Sequence, residues 1–187
     1  MTNEPTASDG ASIETLADPE SLRDGTVPVE EVDRVVPAAQ FEGLREHYDS
    51  VAGVVQVGIT DEDGRVLLQG SPEDGDWAPP GGPVEPGTDW VAAAEQTMES
   101  QTGVDVEIRE VRLLERLRFS PEDGEETVSS WGVTFGAAVE DEQFLRDPEI
   151  VDHPYLPPEH EQTFAWFDAV PEDANDNHVE HIKLFVE

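Results

Sequence analysis

The chain contains no cysteine, which excludes a disulfide framework, a thiolate zinc site and a cysteine nucleophile. It is also poor in cations, with ten Lys and Arg against 44 Asp and Glu, and Lys183 is the only lysine. The formal net charge of −34 argues against a nucleic-acid polymer as partner, because such binding depends on basic contacts that release counterions. No apolar run approaches the roughly 18 residues of a membrane helix. The opening residues, MTNEPTASDG, lack the basic and apolar regions of a secretory signal. A soluble, cytoplasmic protein with no membrane partner is expected.

What is present is acid, and it is spread through every region rather than gathered in a tail. Turns such as Asp61-Glu62-Asp63 carry it alongside regular apolar periodicity, and 36% of residues are hydrophobic, so disorder does not describe the whole chain. A folded domain coated in carboxylates, of the kind found in salt-accumulating halophiles, is the expectation. In molar salt the Debye length is about 3 Å and self-repulsion is screened. At low salt the same charge destabilises the compact state.

Periodicity predicts an α+β fold with a mixed sheet packed between helices. Residues 1–36 are polar and rich in turn formers and read as an acidic, partly irregular extension, leaving 37–187 as the domain. Pro37 to Tyr48 predicts a helix through Phe41, Leu44 and Tyr48. Val51–Thr60 and Arg65–Gln69 read as strands of a hairpin about the turn Asp61-Glu62-Asp63-Gly64. After Gly103 the chain is extended, with Val111, Leu113, Leu117 and Phe119 on one face. Thr127–Val139 and Thr163–Ala169 are further strands, Asp147–Glu159 is a Pro-rich loop, and Asn175–Glu187 a closing helix.

Between two strands lies WAPPGGPVEPGTDWVAAAEQTMESQTGV, Trp77 to Val104, a Pro/Gly turn leading into a short helix. Val91, Ala94 and Met98 form its apolar stripe, and Gly103 is placed as its C-terminal stop. This loop–helix–loop at 81–104 resembles the box of Nudix hydrolases, MutT-like domains that cleave nucleoside diphosphates linked to another group. Trp77-Ala78-Pro79-Pro80-Gly81-Gly82 is similar to the family's lead-in, and Val84-Glu85-Pro86-Gly87 to the turn that follows. Gly82, Met98, Gly103 and Val104 match the box itself. The resemblance implies an α/β/α sandwich, a small phosphorylated ligand, magnesium or manganese as cofactor and, by analogy, a homodimer.

The resemblance also implies acids at Thr88, Thr97, Ser100 and Gln101 and an arginine at Gln96, and none is present. Magnesium requires hard, anionic oxygens, which neutral threonine, serine and glutamine do not supply. At roughly 100° per residue Glu95 and Glu99 point away from that face. Two functions therefore stand open. In one, the protein binds a nucleotide or related phosphorylated ligand with weak or no hydrolysis. The candidate ligand contacts are then Gly81, Gly82, Glu85, Thr97, Ser100 and Gln101, with Arg116 and Arg118 from an arginine-rich stretch suited to phosphate. In the other, it is a metal-dependent phosphoanhydride hydrolase. Glu85 and Asp89 would then hold the metal, with Glu159 and Glu161, flanking His160, as catalytic acids.

Overall fold

The stripe of Val91, Ala94 and Met98 winds into α2 (Trp90–Thr102) in the computed structural model, which describes residue 13 and residues 15–25, 27–150 and 162–186. Asp89 caps its start by accepting from the Val91 and Ala92 amides at 3.0 and 3.1 Å, satisfying donors that a helix leaves open. Gly103 ends it at φ 72°, a left-handed conformation that a side chain would strain. Its buried face carries Trp90, Val91, Ala94 and Met98, each one 3% exposed or less.

That face packs on a five-stranded sheet ordered β1 (Val29–Val36), β6 (Glu107–Pro121), β7 (Val128–Ala138), β2 (Gly53–Ile59) and β5 (Gly81–Val84). The β1–β6 and β2–β7 pairs are parallel, and the β6–β7 and β2–β5 pairs antiparallel. A second sheet joins β4 (Gly75–Ala78), β3 (Val66–Ser71) and β8 (Thr163–Phe167). Helices α1 (Ala38–Ser50), α3 (Glu142–Arg146) and α4 (Val179–Val186), with a 3-10 turn at Pro19–Asp24, complete the described elements. The α+β class with a mixed sheet is as expected.

The core has three parts. Val55, Val57, Leu114, Val133 and Phe135 join α2 in the main cluster. Val36, Phe41, Leu117 and Phe119 form a second beside α1, and Val66, Leu68, Trp77 and Ile182 a third beside α4. Full burial of such a side chain stabilises by roughly 1.5–3 kcal/mol.

Three local expectations give way. The β2–β3 hairpin does not form: a single Thr60–Val66 bridge links the strands, because β5 and β7 already occupy both edges of β2. On β6, Val111, Leu113, Leu117 and Phe119 do not share one face. Register breaks between Ile108 and Glu110 and between Val111 and Leu113 reset the alternation, so Val111 packs with the main cluster and Leu117 and Phe119 with the second. Finally, residues 29–36 of the presumed extension form a strand paired along its whole length with β6.

Candidate functional site

The side of the sheet bearing Leu117 and Phe119 opens into a cavity of about 410 Å³. Glu115, Leu117 and Phe119 alternate along β6 towards it, flanked by Gln56 of β2 and Arg34 of β1. Tyr48 of α1 stacks on Phe119 with ring centroids 5.6 Å apart and planes at 18°. Gly81 and Gly82 supply the lip on the β5 side, and Gln69, Gln162, His178 and His181 close the rest. Gly81 has no room for a side chain, since a Cβ there would lie 2.1 Å from the Val55 carbonyl oxygen.

A polar chain crosses this cavity. Gln56 Nε2 donates to His178 Nδ1 at 2.8 Å. An amide nitrogen only donates, so Nδ1 is the acceptor and the neutral ring carries its proton on Nε2. His178 Nδ1 also lies 3.3 Å from His181 Nδ1. His181 Nε2 in turn is hydrogen-bonded to Glu115 Oε1. Glu115 is 7% exposed and His181 5%, so each supplies the partner that a buried polar group requires. Burial first, and then the charge of His181, lower His178 to about 4; Arg34 acts in the same direction, while Glu115 and Asp76 oppose it. His178 is thus a neutral imidazole at pH 7.

The box positions on α2 are not among the residues that line this cavity. Thr97 is 7% exposed and Gln101 fully buried, whereas Ser100, Glu95 and Glu99 are exposed. Gln101 Nε2 donates to the Gly81 carbonyl at 3.1 Å, and its buried Oε1 has no partner among the described residues. Glu85 is exposed. Asp89, besides capping α2, accepts from the Leu16 amide at 2.7 Å. Among the described residues no group of three or more His, Asp or Glu is placed to hold a metal ion. These residues do not fit the divalent cation that the box resemblance implies: the buried donors are neutral, and one of them presents an N–H where a metal needs an oxygen.

Of the residues singled out in the sequence as ligand contacts, Gly81 and Gly82 line the cavity. Arg116 lies over the Trp131 ring at 4.5 Å and Arg118 pairs with Asp33 at 3.2 Å; neither lines it. Glu159, His160 and Glu161 lie outside the described residues. Arg34, Gln56, Glu115, His178 and His181 were not anticipated. One sequence signal did mark Glu115: it interrupts the apolar phase of Leu113, Leu117 and Phe119 with an acid.

Residues 49–182 match the family model of the NUDIX domain, and the chain belongs to that family. An ADP-ribose pyrophosphatase from Streptococcus suis is similar in structure, at 16% identity and a TM-score of 0.42, over 71% of this chain and 87% of that one. A dihydroneopterin triphosphate pyrophosphohydrolase of E. coli is similar at 20% identity and a TM-score of 0.47, over 73% and 96%. A MutT protein from Bacillus halodurans follows at 22% and 0.37, over 60% and 65%. Likeness at this level says nothing of substrate. No curated protein matches the sequence.

Proposed function

We propose that the cavity binds a small, phosphorylated, nucleotide-like ligand and that hydrolysis there is weak or absent. Gln101 carries this reading. A glutamate at that buried position would set a carboxylate against the Gly81 carbonyl, two acceptors that need a cation or proton between them. The carboxamide donates to that carbonyl instead, so the loop is held without a metal. Thr97 and Ser100 add no charge, and Asp89 is engaged with backbone amides.

A second reading is a hydrolase that cleaves a phosphoanhydride, with magnesium or manganese held by acids outside α2. Family membership favours it. Nucleoside diphosphates and their conjugates, assayed at high potassium chloride with magnesium or manganese beside an equilibrium binding titration, separate the two. Binding without turnover is expected. Metal-dependent turnover abolished by Glu161→Gln or Glu85→Gln would establish the hydrolase instead.

A further inference from the structure

The chain has 44 carboxylates and nine arginines, so acids far outnumber guanidinium groups. Seven arginines, from Arg23 to Arg146, form ion pairs, and Arg116 lies over Trp131. Arg34 has no ion pair, hydrogen bond or ring contact among the described residues, and it lines the cavity. Its place follows from register. Arg34 is paired with Phe119, and Val32 and Glu30 with Leu117 and Glu115, so Arg34 shares the face that Glu115, Leu117 and Phe119 turn towards the cavity. The described acids of the cavity wall are engaged elsewhere, Glu115 with His181 and Asp76 with Asn175 Nδ2 at 2.8 Å. Among the described residues this leaves a positive charge beside the cavity with no acid paired to it, in a protein of net charge −34.

We propose that Arg34 is the anion anchor of this cavity and binds a phosphate group of the ligand, with His178, which lines the same cavity, as a second donor. This rests on the reading of the cavity as a phosphorylated-ligand site and deepens it. A guanidinium presents a fixed fork of donors that matches phosphate oxygens bidentately. It therefore supplies, without a metal, the positive charge that the box does not hold. The charge of Arg34 is felt at both neighbours: it partly offsets the burial that raises Tyr48 and adds to the lowering of His178. Arg34 lies on β1, outside the residues 49–182 that match the family model. The strand preceding the matched region thus completes the site.

The test titrates ADP and inorganic pyrophosphate, in molar potassium chloride with EDTA, into wild type, Arg34→Gln, Arg34→Lys and Arg146→Gln. Circular dichroism and melting curves check that each variant is folded. Losing a charge-assisted bidentate contact is expected to weaken both probes about tenfold or more in Arg34→Gln, with part of the affinity restored in Arg34→Lys. Arg146→Gln, at an exposed pair with Glu142, is expected to bind like wild type. A folded Arg34→Gln that binds both probes as tightly as wild type overturns the anchor and leaves the cavity's function standing. A wild type that binds neither ADP nor pyrophosphate, nor any other phosphorylated probe, overturns both.

Discussion

Replacing Gln101 by glutamate tests the reasoning about the box most sharply. The side chain is fully buried, and its amide donates to the Gly81 carbonyl at 3.1 Å. A protonated glutamate can make the same contact through its hydroxyl, so Gln101→Glu is expected to be nearly as stable as wild type near pH 4. An unfolded glutamate titrates at about 4.3, whereas the buried carboxyl, facing a carbonyl oxygen, holds its proton to higher pH. Between those two values the folded state binds more protons, so stability falls as pH rises, by about 1.4 kcal/mol per unit. A shift of two to three units, ordinary for a buried acid, gives a deficit of about 3–4 kcal/mol at pH 7. For a chain of this size each kcal/mol moves the melting temperature by roughly 2–4 °C, so a drop of about 6–16 °C is expected. The assay is thermal unfolding at fixed high salt, from pH 4 to 8, with EDTA or with manganese. Manganese is expected to stabilise the variant at pH 7 and leave wild type unmoved. A variant that melts like wild type at pH 7 in EDTA would refute the argument.

Other perturbations address the polar chain, the cap and the charge. His178 is lowered to about 4 against about 6.5 when unfolded, so the unfolded state takes up its proton first as pH falls. The stability from this residue is full above about pH 6.5 and is lost towards pH 4, by at most about 3 kcal/mol; His178→Gln should flatten that limb of the urea midpoint plotted against pH. Glu115→Ala leaves His181 buried without its carboxylate and is expected to cost about 3–5 kcal/mol by urea unfolding, with Glu115→Gln milder because an acceptor oxygen remains. Asp89→Ala removes the α2 cap and the Leu16 contact, a loss of about 1–2 kcal/mol. With a net charge of −34, the melting temperature should climb steeply with potassium chloride and more gently once repulsion is screened.

The sequence made the scaffold legible because local chemistry and tertiary packing agree there. Asp89, the stripe of Val91, Ala94 and Met98, and Gly103 each sit where capping, amphipathic burial and left-handed termination place them. The site was far less legible. Arg34 and Glu115 are 81 residues apart in sequence and reach one cavity through a parallel β1–β6 ladder, whose register no local pattern encodes. Residues 29–36 carry three acids and alternate weakly, as expected of an edge strand with one wet face, and so resembled an irregular tail. His178 and His181 acquire meaning only when α4 brings them beside Gln56 and Glu115. The arginines of β6 looked like a phosphate platform because they cluster in sequence. Folding instead pairs Arg112 and Arg118 with acids and lays Arg116 on Trp131. The break in register after Val111 was hidden for a similar reason: a bulge keeps its residues apolar while changing the face they take.

The central claim is that this family member holds a phosphorylated ligand without a divalent cation at its box. Calorimetric titration of wild type with ADP at high potassium chloride, first in EDTA and then in manganese, tests it directly. The same affinity is expected in both, with no product after prolonged incubation with manganese. Binding that appears only with manganese, or metal-dependent release of product, would contradict it.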